Sequence, residues 1–128
     1  MPDSLIRPIG FGRTPYFIAA LSVPVTDEGE IDFNQFAEDL ERTAGYGVEP
    51  AVLMDTYQVN HCTKEQQVRG LEVTREVMNG RPFTAGVYIE DEIEEDGVEA
   101  IIRLYQRKIE LFEQTYGASP IIFQTEGL

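Results

Sequence analysis

Positive charge, cysteine and long apolar runs are all scarce in this sequence, and each scarcity excludes a class of protein. No apolar stretch approaches the roughly 20 residues that a membrane-spanning helix needs. Cys62 is the only cysteine, so no disulfide can form within the chain. The 23 acidic residues outnumber the 10 basic ones, giving a net charge of −13. Because such a chain repels phosphate backbones and anionic lipids, we expect no nucleic-acid partner and no membrane partner.

The composition predicts one folded domain. The chain has 128 residues, of which 42% are hydrophobic, and this is enough apolar surface to form a core. The first residues, MPDSLIRPIGFGR, lack the apolar segment of a signal peptide. We therefore expect a cytoplasmic protein, with residues 1–128 as a single α/β domain and residues 1–14 as an N-terminal extension.

Strand-like and helix-like patterns alternate along the chain. The predicted strands cover residues 17–25, 49–54, 82–89 and 120–124, and the run 49–54 is apolar without polar alternation. Parallel strands that are covered on both faces have this pattern.

Three amphipathic helices are predicted between these strands. Asp32 is the expected N-cap of the first, and Thr63 begins the capping-box pattern TKEQ of the second. The third carries five apolar residues three or four positions apart, which predicts a buried stripe. These residues are Ile101, Tyr105, Ile109, Phe112 and Tyr116.

The resulting order, β-α-β-α-β-α-β, specifies an α/β fold with parallel strands and right-handed crossovers. Two architectures fit this order: the first half of a (β/α)8 TIM barrel, and a small doubly wound sheet. A whole barrel needs roughly 250 residues. The turn after the first strand, TDEGEID, has one glycine, so a glycine-rich phosphate-binding loop is not predicted there.

Short sequence matches, in order and at similar spacing, run from about residue 15 to residue 128. The matching residues are Ala20, Leu21, Pro24, Gly29, Ile31, Asp32, Gly47, Val48, Val52, Leu53, Ala85, Gly86, Val87, Gly117 and Ala118. Together they resemble the N-terminal half of the dihydrodipicolinate synthase and N-acetylneuraminate lyase family. The resemblance implies half of a TIM barrel, and a lyase that joins or cleaves pyruvate and an aldehyde through a Schiff base.

The family resemblance also implies a binding segment after the second strand. Where the family has GTTGE, which binds the substrate carboxylate, this chain has DTYQV, so Thr56 matches the family and Asp55 replaces a glycine. We take Asp55, Thr56 and Tyr57 as candidates for binding a small 2-oxo acid. The alternative roles are loop stabilisation for Asp55 and Thr56 and packing for Tyr57. By their position at the C-terminal ends of the predicted strands, Tyr88, Glu90 and Gln124 are further candidates.

No catalytic residue is assigned within the chain. A Schiff-base lysine must project from a strand end into a dry pocket, whereas Lys64 and Lys108 fall within predicted helices. The family's lysine, and the tyrosine that relays protons, would follow Leu128. His61 and Cys62 are adjacent, but metal-ligand spacings such as CxxC are missing. We therefore expect no metal site and no cofactor.

Two functional hypotheses follow from these observations. In the first, the chain is the N-terminal half of a pyruvate-dependent lyase-like barrel, and a missing C-terminal half carries the lysine. In the second, it is a noncatalytic half-barrel that covers its open sheet edges with another copy, as a homo-oligomer, or with a partner chain.

Overall fold

Four short strands form one parallel sheet in the computed structural model, which describes residues 15–123. The strands are β1 (Ile18–Ala20), β2 (Glu49–Val52), β3 (Thr84–Val87) and β4 (Ser119–Ile122). They are paired in sequence order, β1-β2-β3-β4, and each neighbouring pair is parallel. The predicted β/α alternation is confirmed.

Three helices connect the strands: α1 (Phe33–Gly45), α2 (Lys64–Met78) and α3 (Val98–Leu111). A π-helical turn, Phe112–Tyr116, extends α3. Because right-handed crossovers between strands in sequential order place every helix on the same face, all three helices cover one side of the sheet. A doubly wound sheet reverses its strand order instead. The architecture is therefore that of a partial TIM barrel, which is the first of the two architectures that the sequence predicted.

The helices begin where their capping residues predict. The Asp32 side chain accepts a hydrogen bond of 3.0 Å from the backbone N–H of Gln35. Thr63 and Gln66 form a complete capping box, with reciprocal hydrogen bonds of 3.1 and 2.8 Å. The Gln35 side chain bonds Asp39 instead of returning to the N-cap, so α1 has a capping hydrogen bond without the full box.

The core lies between the sheet and the helices. Val52, Ala85 and Val87 of the strands have no exposed surface, and neither do Phe36 and Leu40 of α1. The predicted stripe on the third helix is buried at three positions and half-buried at the other two. The buried residues are Ile101, Tyr105 and Phe112, and the half-buried ones are Ile109 and Tyr116.

The other side of the sheet carries no helix within residues 15–123, and we call it the inner face. Strand register and the alternation of side chains place eight residues on it. They are Ile18, Ala20, Glu49, Ala51, Thr84, Gly86, Ser119 and Ile121. Ile18 is 49% exposed and Ile121 is 40% exposed. The exposed apolar surface of the inner face therefore lies on the two edge strands, β1 and β4, whereas Ala51 and Thr84 between them are buried.

Gly86 allows the inner face to pack closely against a neighbouring loop. A Cβ atom at this position would lie 2.4 Å from the Leu53 carbonyl oxygen and 2.5 Å from the Phe123 ring. Neither distance is compatible with a side chain. Glycine is therefore required here, because the Leu53 carbonyl after β2 and the Phe123 ring after β4 both lie close to the backbone.

The strands are shorter than the sequence predicted, with three or four residues each. Instead of continuing β1, Val25 pairs with Ile31 in an isolated antiparallel bridge. Residues 1–14 and Gln124 lie outside the described residues. Within residues 15–123, no helix combines the length and the apolar character needed to cross a membrane.

Candidate functional site

A cleft opens at the carboxyl ends of β2, β3 and β4, the edge at which TIM barrels carry their active sites. Its volume is about 210 Å³. The residues that line it are Asp55, Val59, Asn60, Tyr88, Ile89, Glu90 and Phe123. Three residues predicted from their position after strands, Asp55, Tyr88 and Glu90, are thus brought together.

The loop after β2 winds tightly, and this winding separates the three predicted binding residues. It forms two short 3-10 helices, Asp55–Tyr57 and Val59–His61. Leu53 and Gln58 take left-handed backbone conformations, with φ of 56° and 62°. Successive side chains of the loop consequently point in different directions, and Asp55 is the one of the three that lines the cleft.

Thr56 ties the loop to the neighbouring strand end. Its hydroxyl donates a hydrogen bond of 3.1 Å to the Leu21 carbonyl, just after β1. This contact corresponds to the loop-stabilising alternative. The hydroxyl oxygen can still accept a hydrogen bond, but its single proton is already used. Binding of substrate by Thr56 therefore stays a prediction, and its chemistry favours a donor on the ligand over an anion.

Tyr57 turns into the helix layer and does not line the cleft. It has no exposed surface, and its ring meets Phe36 edge-on at a centroid distance of 5.5 Å. Its buried hydroxyl has no hydrogen-bond partner within residues 15–123. A Cβ atom at Gly70 would lie 2.2 Å from that hydroxyl. Burial, with a smaller contribution from Cys62, raises the pKa of Tyr57. The Tyr57 side chain therefore packs in the core, as in the alternative role considered for it.

The cleft combines acidic, amide and aromatic groups. Asp55 and Glu90 contribute carboxylates, Asn60 an amide and Tyr88 a phenol. Burial and the negative charges of Asp91 and Glu90 raise the pKa of Tyr88, so the phenol is neutral near pH 7. Among the described residues that line the cleft, none is basic. The cleft is therefore suited to hydroxyl groups or cations and disfavours anions.

Both lysines of the chain contact one carboxylate instead of the cleft. Lys64 Nζ lies 2.6 Å from one oxygen of Glu92, and Lys108 Nζ lies 2.7 Å from the other. Lys108 also donates a hydrogen bond to the carbonyl of Tyr88, at the end of β3. The hydrogen bond that Lys64 donates to Glu92 raises the pKa of Lys64. An ammonium held in this way is not a free amine nucleophile.

Sequence reasoning missed Asn60 and Phe123 as cleft residues. Asn60 reaches the cleft from the second 3-10 helix of the loop, and no glycine or proline within residues 55–62 predicts that turn. Phe123 lies in the predicted strand 120–124 and was not singled out there. His61 is exposed, and within residues 15–123 no group of three or more His, Cys, Asp or Glu side chains is placed to hold a metal ion.

Among solved structures, the chain is similar to a crystal structure of a candidate dihydrodipicolinate synthetase from Pseudomonas aeruginosa. The TM-score is 0.64, with 19% sequence identity, over 85% of this chain and 34% of that one. The chain has the fold of part of a dihydrodipicolinate synthetase-like protein. The fold predicted from the sequence resemblance is confirmed.

The match covers only part of the synthetase-like structure. The chain spans about a third of the length of the synthetase-like structure, and at this identity the likeness concerns the fold. No protein-family model matches the chain, and no curated protein matches its sequence.

Proposed function

We propose that this chain forms the N-terminal part of a lyase-type barrel that joins or cleaves a 2-oxo acid and an aldehyde through a Schiff base. The observation that carries the proposal is the sequential parallel sheet with all helices on one face, which matches a synthetase-like structure over 85% of the chain. The sequence matches to the lyase family, which span the same strands, support it independently.

In this proposal, the cleft forms the wall of the site that faces the hydroxyl or aldehyde part of the substrate. The neutral Tyr88 phenol can donate a hydrogen bond to a carbonyl oxygen, and Asp55 can accept one from a hydroxyl. The substrate carboxylate needs positive charge, which the described lining residues do not provide. The carboxylate-binding groups and the Schiff-base lysine therefore belong to residues beyond 15–123.

Pyruvate trapping tests the proposal. We expect the coding sequence to continue past codon 128, in the same or a neighbouring frame, into β/α units with a lysine at a strand end. Treated with pyruvate and borohydride, the complete barrel should gain the mass of one reduced pyruvate adduct, and replacing that lysine by methionine should abolish the gain. Unrelated downstream sequence, or a complete barrel without the adduct, would contradict the proposal.

The chain alone provides the matched control for this experiment. Because Lys64 and Lys108 both contact Glu92, we expect neither to form the adduct under the same conditions. Peptide mass mapping would locate any modification. An adduct on either lysine would mean that the ion pairs leave a reactive amine, contrary to the geometry.

The inner face favours a second candidate function, a noncatalytic half-barrel that binds another chain. Ile18 and Ile121 leave 49% and 40% of their surfaces exposed there. Unpaired edge strands that carry exposed apolar residues are typical sites of pairing with another chain. Purified alone, the chain should bind an apolar fluorescent dye, and covering the inner face with a partner should release it. A chain that binds no dye would contradict this function.

A further inference from the structure

Glu49 is the one charged residue among the eight that define the inner face, and the chain itself positions it. Tyr16 Oη lies 2.6 Å from one carboxylate oxygen, and Thr84 Oγ1 lies 2.7 Å from the other. Both hydroxyls donate to the carboxylate. Each carboxylate oxygen can accept a further hydrogen bond, and the side chain is half-buried at the open side of the sheet.

Closing a barrel with a second copy of this chain would bring two such carboxylates together. The interior of a TIM barrel is filled by layers of four side chains, which alternate strands contribute. In a twofold assembly, β2 of the second copy occupies the place of the sixth strand, so both Glu49 side chains fall in one layer. Like charges repel strongly in a water-poor interior. The net charge of −13 on each copy adds to this repulsion.

We propose that the inner face accepts a complementary β/α half-barrel that places a lysine or arginine against Glu49, in preference to a second copy of this chain. A guanidinium or ammonium would complete the hydrogen bonding that Tyr16 and Thr84 begin, and would neutralise the carboxylate as it is buried. The inference rests on the half-barrel part of the proposed function and does not depend on the pyruvate chemistry.

A copy of the chain that carries Glu49→Lys is a probe of matching shape with the required positive charge. Mixed with the wild type and measured by native mass spectrometry, it should form mixed dimers at least tenfold more tightly than the wild type forms its own dimers. Glu38→Lys, on the exposed surface of α1, changes the net charge equally and is the control. A wild-type dimer as tight as the mixed one, or an equal preference for Glu38→Lys, would overturn the proposal.

Glu49→Gln keeps the test decisive if the lysine variant does not fold. Glutamine has nearly the same shape and removes the like-charge contact, so this variant should self-associate at least tenfold more tightly than the wild type. Self-association equal to that of the wild type would overturn the proposal. Failure of pyruvate trapping would leave these affinities unchanged, so the two proposals fail in distinguishable ways.

Discussion

Replacing Glu92 by glutamine should destabilise the protein more than the same replacement of Glu94 in the acidic loop after β3. Glu92 joins this loop to α2 through Lys64 and to α3 through Lys108. The Lys108 side chain is 13% exposed and that of Glu92 is 21% exposed. Glutamine removes the charge and retains one acceptor oxygen, so the half-buried Lys108 ammonium loses much of its compensation.

The two contacts contribute unequally. A hydrogen bond between charged, poorly exposed groups contributes about 1.5–3 kcal/mol, whereas the pair with the mostly exposed Lys64 is worth at most about 1 kcal/mol. We expect Glu92→Gln to lower the free energy of unfolding by about 2–3 kcal/mol, as measured by urea denaturation at pH 7. Glu94→Gln, two residues on and exposed, is the control. Equal stabilities of the two variants would refute the reasoning.

The pH dependence of this difference follows from the shifted pKa values. Burial alone would raise the pKa of Glu92, but hydrogen bonds from Lys108 and Lys64 outweigh it and lower the pKa below 4.5. The stabilisation is thus present above about pH 4.5 and lost as the pH falls through the lowered pKa. The pKa of Lys64 is raised above 10.5, so its part is complete below that value and lost as the pH rises further. A plateau between these limits is expected.

Three further substitutions test the packing around the cleft by the same unfolding measurement. Gly86→Ala should cost at least about 2 kcal/mol because its Cβ meets a carbonyl oxygen and a ring, while Gly45→Ala, with open space around it, should be neutral or stabilising; equal effects would contradict the close approach. Tyr57→Phe should stabilise by about 1 kcal/mol because it removes a buried hydroxyl without a partner. The stability advantage of the phenylalanine variant should grow above pH 10, because tyrosine then ionises in the unfolded chain while burial keeps it neutral in the folded one. A loss of stability would instead indicate that the hydroxyl has a hydrogen-bond partner. Thr56→Val should cost about 1 kcal/mol through its hydrogen bond to Leu21, and an unchanged stability would show that this bond contributes nothing.

Local signals in the sequence predicted the elements but not their arrangement. Asp32 and Thr63 identify helix starts because their side chains bond backbone groups three residues away, within the reach of a short pattern. Strand order depends on which apolar faces meet, and hydrophobic periodicity carries no information about that choice. The sequence therefore left the half-barrel and the doubly wound sheet open, and the order β1-β2-β3-β4 decided between them.

The sequence predicted only those residues of the candidate site that lie near the carboxyl ends of strands. Asp55, Tyr88 and Glu90 lie at most three residues beyond a strand end, so they meet at the carboxyl edge of the sheet. Tyr57 is two residues farther on, where a 3-10 turn rotates its ring toward Phe36. The direction of such a turn depends on the left-handed backbone at Leu53 and Gln58. Neither residue is a glycine, so no turn pattern in the sequence predicts this left-handed backbone.

The pairing of both lysines with Glu92 has a practical consequence for handling the protein. Beyond the N-terminus, the chain offers amine-directed reagents no primary amine except Lys64 and Lys108. Acetylation, ester-based labelling or amine coupling to a surface would each remove a charge that fastens the loop after β3 to two helices. A probe attached in this way would report on a loosened protein, so labels are better directed to Cys62.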